Sequence, residues 1–408
     1  MGVLRRVTGS MILPSLMVFM TASQLAFGAD WPCYRGANHN GISEETDWSS
    51  NWGTSGPKTL WKKSIGIGFS TTAVASGRAY NMGNSDKKTD TVYCFDAQTG
   101  QELWKYSYPC PLLPNSYEGG TLSTPTVDGG RVYTLSKIGD LFCLDAAGGK
   151  VLWHKQLEKG MGFKLPTWHF SSSALIAGDM LLLNMGSAGL ALNKNTGDPV
   201  WQSGKGKCGY ATPVPFEMDG QPCLAIMSEV TLFAVRQADG KQLWRYPWKT
   251  QYEINASDPV VLGNQMLITS GYKHGCSLLE FNAAGAKKLW ENKVMSMQIN
   301  SPIVRDGFAY GFDENVFKCV KLQDGQPQWD EKSLGKGSLM MSADGRLILM
   351  SEGGELVIAK ANPQKFDVLA RAQILPKTKC WTSPVLANGR VYARNAAGNF
   401  VCVDVGGK

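Results

Sequence analysis

The chain has 408 residues, 43% of them hydrophobic, and a formal net charge of +7. Its 46 glycines and 13 tryptophans are spread along the whole length. That pattern suits many short strands with tight turns and excludes low-complexity disorder. Lysines and arginines are scattered, with no basic run or basic helix, so a nucleic-acid partner is not expected.

Residues 1–28 read as an export signal. Arg5-Arg6 supply the positive start, residues 11–22 a short apolar stretch, and Ala26-Phe27-Gly28 small residues at a cleavage position. The apolar stretch is too short to span a bilayer and is broken by Pro14, and no later stretch is long enough. No cysteine directly follows the cleavage position, so a lipid anchor is not expected. Without Arg5 and Arg6 the chain carries 39 basic against 34 acidic residues, a balance of +5. The mature protein is expected in the periplasm or outside the cell, as a monomer with no membrane span.

After an N-terminal extension at 29–57, residues 58–408 are built from one repeat. Thr99-Gly100-Gln101-Glu102-Leu103-Trp104 returns as Gly148-Gly149-Lys150-Val151-Leu152-Trp153 and as Thr196-Gly197-Asp198-Pro199-Val200-Trp201. Further copies end at Trp244 and Trp329, and the copy ending at Trp290 has one residue inserted. The tryptophans fall 39 to 49 residues apart, the length of one four-stranded propeller blade. A Ser/Thr-Pro pair or an equivalent opens each first strand, as in Thr124-Pro125, Ser301-Pro302 and Ser383-Pro384, where a turn glycine follows five residues on. Alternation of β-branched and aromatic residues argues for strands throughout.

Third strands centre on Cys94, Cys143, Leu192, Ala234, Leu279, Cys319, Val357 and Cys402, which predicts eight blades. The seventh lacks the tryptophan, with Phe366 or Val368 near its place. The eighth has no fourth strand of its own, whereas Thr59-Leu60-Trp61 is a fourth strand without a blade. The two should meet and close the ring, leaving no open sheet edge. The predicted fold is therefore an all-β, eight-bladed β-propeller. Of the ten cysteines, Cys94, Cys143, Cys319 and Cys402 share one strand position and read as small buried thiols. The other six are irregularly placed, and their pairing is open. No haem-attachment or zinc-type spacing is present.

Asp96-Ala97-Gln98-Thr99-Gly100-Gln101-Glu102-Leu103-Trp104 resembles the repeat of pyrroloquinoline-quinone (PQQ)-type propellers, and the resemblance runs from about residue 58 to the end. Trp31-Pro32-Cys33-Tyr34-Arg35-Gly36, Glu253-Ile254-Asn255-Ala256-Ser257-Asp258-Pro259 and Gly335-Lys336-Gly337-Ser338-Leu339 are similar to segments of exported, planctomycete-type members. Such proteins are described as BamB-like or as similar to polyvinyl-alcohol dehydrogenases. A fold of this kind hosts several functions and fixes none.

Loops leading into the first strands converge near a propeller axis. Here they carry Tyr117, Glu118, Trp168, His169, Tyr210 and Tyr252, then Glu253, Asn255, Gln298, Asn300, Lys336 and Trp381. This aromatic, amide and acidic ring has the composition of a small-ligand pocket. The first reading is a non-catalytic, exported binding scaffold for a protein or cell-envelope ligand, with no cofactor, no metal and no catalytic residue. The alternative is a PQQ-dependent alcohol or polyvinyl-alcohol dehydrogenase. The resemblance would then make Trp168 or Trp381 the floor under the quinone and Glu118, Glu253, Asn255 and Asn300 calcium ligands. No two cysteines are adjacent, so the vicinal disulfide lid of such enzymes is missing. His169 is one of only four histidines, and no Ser-His-Asp or metal spacing surrounds it.

Overall fold

A computed structural model describes residues 1–2 and 29–407, so nearly all of the expected leader lies outside the described residues. Fold formation starts at the repeat's turn. Asp96 Oδ1 accepts hydrogen bonds from the Thr99 amide (2.7 Å) and the Thr99 hydroxyl (2.8 Å), closing an Asx turn. Gly100 then adopts φ 71°, and a Cβ there would come within 2.5 Å of the Trp61 ring. That glycine is required twice, for the left-handed backbone and for the close approach.

The contact between turn glycine and tryptophan recurs from blade to blade. In five blades the turn glycine lies under the tryptophan of the blade before it: Gly100 under Trp61, Gly149 under Trp104, Gly197 under Trp153, Gly240 under Trp201 and Gly325 under Trp290. The indole N–H donates to a carbonyl of the same turn, as in Trp104 to Ala146 (2.9 Å), Trp201 to Gln237 (2.8 Å) and Trp290 to Leu322 (2.7 Å). The repeat thus couples one blade to the next, which is why turn and tryptophan travel together in the sequence. Trp244 is the exception. It meets the turn carrying the inserted residue, and its indole N–H is buried without a partner.

Eight antiparallel sheets result, covering residues 73–109, 126–156, 175–202, 214–247, 260–292, 303–331, 338–373 and 385–404. Among the described residues every regular element is a strand. All eight predicted third strands are present. The N-terminal strand Lys58–Ser64 pairs with Asn399–Asp404 in the eighth blade, with Trp61 opposite Cys402. Trp61 donates to the Ala97 carbonyl (3.3 Å) in the first blade's turn, so the ring is closed as expected. In the seventh blade the register puts Ala370, opposite Ile358, at the tryptophan position. Neither Phe366 nor Val368 stands there. Phe366 instead lies beside Trp329, with ring centroids 5.8 Å apart.

Between blades the core repeats as well. Tyr80, Tyr133, Tyr310 and Tyr392 on second strands lie against Trp104, Trp153, Trp329 and Trp61, with centroids 5.9 to 6.2 Å apart. Cys94, Cys143, Cys319 and Cys402 are fully buried beside them. All ten thiols are free and buried, which answers the open question of pairing. Burial pushes the Cys94 and Cys143 thiols up to about 11, so they are inert packing groups.

Residues 29–48 are not a detached extension. They cross the axis on the face opposite the loops leading into the first strands. Trp31 bridges Val74 of the first blade, and the Pro32 carbonyl accepts from Val127 of the second. Arg35 donates to the Ser301 and Pro302 carbonyls of the sixth blade (3.3 and 3.1 Å). Ile42–Ser43 adds a parallel strand to the seventh blade, and Glu45 accepts from the Gly389 amide of the eighth (2.8 Å). Gly36 has φ 76°, and a Cβ there would lie 2.7 Å from the Trp31 ring, which accounts for the Trp31…Arg35-Gly36 pattern.

Candidate functional site

At the axis each first strand has no neighbouring strand on its inner side, so its amides need other acceptors. They find them one blade on. The Thr71 amide donates to Thr124 Oγ1 (3.1 Å), Thr124 to Ser173 Oγ (2.9 Å) and Ser173 to Thr212 Oγ1 (3.2 Å). The Thr212 amide donates to Asp258 Oδ1 (2.8 Å), and that of Asp258 to Ser301 Oγ (2.8 Å). Ser338 and Ser383 hold the equivalent positions in the last two blades. This ring explains the Ser/Thr-Pro pairs: the hydroxyl caps its neighbour, and proline is tolerated on an edge lacking a ladder partner.

One member of the ring is a carboxylate. Asp258 is 2% exposed, and its Oδ2 lies 3.9 Å from Arg35 Nε. Burial pushes its carboxyl up to about 6, although the Arg35 charge and the Thr212 amide both pull it down. The folded state therefore binds this proton more tightly than the unfolded chain, and stability from this group is lost as pH rises from about 4 to 6. A shift from 3.8 to about 6 is worth about 3 kcal/mol at order of magnitude. Asp258→Asn keeps an acceptor for Thr212 and removes the titration. Its urea midpoint should gain on the parent's as pH goes from 4 to 7, and a constant gap would refute this assignment.

Above the ring lies a cavity of about 230 Å³. Tyr34, delivered from the opposite face by the crossing segment, contributes to its floor together with Thr71, Thr124, Ser173, Thr212 and Asp258. An aromatic arc follows around one side. Trp381 lies 5.9 Å from Phe69, Phe69 lies 6.0 Å from Tyr117, and Trp168 lies 6.3 Å from Tyr210. Gln298, Asn300 and Tyr272 line the other side.

Six of the residues singled out in the sequence line this cavity: Tyr117, Trp168, Tyr210, Gln298, Asn300 and Trp381. The other six stand around or behind it. His169 Nδ1 is 2.9 Å from the Tyr117 hydroxyl, and burial with the Lys137 charge lowers its pKa. Glu118 is paired with Lys379 (2.8 Å). Tyr252 stacks edge-on against Tyr272, centroids 4.9 Å apart. Glu253 faces Lys207 (3.9 Å), which also holds Glu229 (3.2 Å). Lys336 contacts Gln298 Oε1 and lies 3.8 Å from Glu314. Asn255 is fully buried. Its amide donates to the Ser228, Glu229 and Trp248 carbonyls, and its Oδ1 accepts from Ser270, so it braces loops and does not reach the cavity.

Tyr34, Phe69 and Tyr272 line the cavity but were not singled out in the sequence. Tyr34 lay in the Trp31–Gly36 pattern, whose position on the axis depends on contacts with distant blades. The ring hydroxyls were legible only as strand openers. Around the cavity, Ser116 (φ 63°), His169 (φ 69°), Glu253 (φ 57°), Tyr272 (φ 59°) and Lys273 (φ 57°) all adopt left-handed backbone. Such conformations cost energy in non-glycine residues and gather where loops are fixed for a ligand.

The family model described as outer membrane protein assembly factor BamB matches residues 88–331. A relative of the same description from Burkholderia pseudomallei (strain K96243) is 23% identical over 292 residues, covering 60% of this chain and 71% of its own. Among solved structures, BamB from Moraxella catarrhalis superposes with a TM-score of 0.62 at 17% identity, over 85% of this chain and 97% of that one. The quinohemoprotein alcohol dehydrogenase ADHIIG from Pseudomonas putida HK5 reaches 0.68 at 12% identity, over 93% and 81%. At these identities the two structures speak for the fold alone. The family match spans more than half of the chain, and the protein is thus a member of the BamB family of PQQ-type repeat propellers.

Proposed function

We propose that this chain is an exported, non-catalytic scaffold that binds a protein or cell-envelope ligand through its axial face. The observation that carries this reading is the state of the charges around the cavity. Lys379 is taken by Glu118, Lys336 by Glu314 and Asp258 by Arg35. A rigid disc with a shaped cavity whose nearby charges are largely paired is suited to hold a ligand.

The dehydrogenase reading draws on the fold shared with quinohemoprotein enzymes, and the residues present do not fit the cofactor. PQQ is a planar tricarboxylate that needs free cations, and both nearby lysines are already paired. Calcium prefers six to eight oxygens at short range. Of the residues suggested as its ligands, Glu118 and Glu253 face lysines, and the Asn255 amide is used by backbone carbonyls. Among the described residues no group of three or more His, Cys, Asp or Glu side chains is placed to hold a metal ion.

Purified mature protein incubated with PQQ and calcium should give no alcohol-dependent dye reduction. It should also show little rise in Tm, since a ligand well above its Kd adds a few kcal/mol. A large rise that Trp381→Ala or Glu253→Ala abolishes would overturn the scaffold reading. Export is tested on the same material: N-terminal sequencing should begin near Ala29, and a start at Met1 would contradict it. No helix among the described residues is long and apolar enough to cross a membrane.

A further inference from the structure

We infer that the axial cavity binds a single neutral pyranose ring, free or at the end of a glycan. The inference rests on the scaffold reading and narrows it to one ligand chemistry.

Size is the first constraint. About 230 Å³ is below the roughly 300–1,000 Å³ of drug-sized sites. It has room for one six-membered ring with its substituents and not for an extended peptide. Charge is the second. An anion would need Lys336 or Lys379, and these are committed to Glu314 and Glu118. A cationic amine would need a free carboxylate in the lining; Asp258, which lines it, faces Arg35 and accepts from the Thr212 amide, and Glu352 stands behind the Trp381 ring, accepting from its indole N–H (3.1 Å). A neutral ligand is left.

Wall chemistry is the third constraint. Trp381, Phe69, Tyr117, Trp168 and Tyr210 form an arc on one side, while Gln298 presents its amide on the other and Asn300 is held by Gly337, Trp381 and Ser383. The floor carries hydroxyls from successive blades. These hydroxyls accept their neighbours' amides and keep their own O–H to donate, which a flat apolar ligand would not use, and an acyclic polyol would waste the aromatic arc. A pyranose offers both, with apolar C–H faces for the rings and hydroxyls around its edge.

The test is saturation-transfer difference NMR on the mature full chain. The probes are methyl α- and β-D-glucopyranoside, N-acetylglucosamine, a β-linked glucan hexamer, choline, and PQQ with calcium. Transfer to the C–H protons of at least one monosaccharide is expected at millimolar concentration, insensitive to added salt. If the hexamer binds, transfer confined to its terminal ring identifies a glycan end as the source. Binding by the monosaccharide alone identifies the free sugar. Trp168 is a partly buried loop residue outside the strands, so Trp168→Ala should change the Tm little and weaken binding at least tenfold. Phe69→Leu, at the other end of the arc, should do the same and controls for any loop disturbance in the first variant. No transfer to any pyranoside, or transfer to choline or PQQ in its place, overturns the inference. So does sugar binding that survives both substitutions. If sugars fail while PQQ with calcium gives no dye reduction, this inference falls and the scaffold reading stands. Quinone-dependent turnover would end both.

Discussion

A chain beginning at Ile65 is expected to aggregate on refolding, while the parent remains in solution. The deletion removes Lys58–Ser64, the outer strand of the eighth blade, and exposes the edge of Asn399–Asp404. An uncovered, flat, apolar edge is a template for pairing with other chains. It also removes Trp61, which is 7% exposed and lies against Phe400 (5.0 Å), Tyr392 (5.9 Å) and Phe95 (6.1 Å). Those rings belong to the first and eighth blades, so Trp61 packs across the junction, beside the Tyr392 hydroxyl that donates to the Ala97 carbonyl (3.1 Å). Trp61→Ala alone should cost about 3–5 kcal/mol, a large part of the 5–15 kcal/mol typical of a folded protein. Size-exclusion chromatography and urea unfolding measure both effects. A soluble truncated monomer with the parent's urea midpoint would refute the closure argument.

That closure was legible in the sequence because it depends on a local pattern. The Asp-x-x-Thr-Gly turn and its tryptophan are read within nine residues, and a surplus copy at Trp61 could belong only to a blade lacking one. Ala370 was not legible, because the register shift beside it recurs in other blades next to a tryptophan, and here no tryptophan marks it. The candidate site divides in the same way. Tyr117, Trp168, Tyr210 and Trp381 sit in loops leading into first strands, and topology alone sends such loops to the axis. Asn255 sits in such a loop too, yet its amide turns inward to three carbonyls, a choice made by neighbouring backbone. Tyr34 reaches the cavity only because Arg35 is anchored on Ser301 and Pro302, more than 260 residues away. Long-range contacts of this kind leave no periodic trace.

Lys137→Met is expected to destabilise the protein by about 3–5 kcal/mol, the usual cost of breaking one side of a buried ion pair. Lys137 and Asp90 are both fully buried, and Lys137 Nζ lies 3.1 Å from each Asp90 oxygen. Cys110 Sγ, at 3.2 Å, and the Asn84 amide, 2.6 Å from Asp90 Oδ1, complete the cluster. The pair ties the second blade's central turn to the first blade's third strand. Its lysine backbone also accepts from the Phe170 amide (3.1 Å), at the base of the loop that carries Trp168. Removing the lysine leaves a carboxylate with no cation and no route to water. Asp90→Leu should be nearly as costly, since it strands the ammonium. The double variant Asp90→Leu/Lys137→Met has no buried charge left and should recover most of the loss, as apolar replacements of buried pairs often do. Urea unfolding of the four proteins gives the coupling energy directly. Additive single effects, or a Lys137→Met variant within 1 kcal/mol of the parent, would show that the pair contributes little to holding the first two blades together. A strongly coupled pair would instead make the first two blades one cooperative unit, and it would fix the loop that brings Trp168 to the cavity.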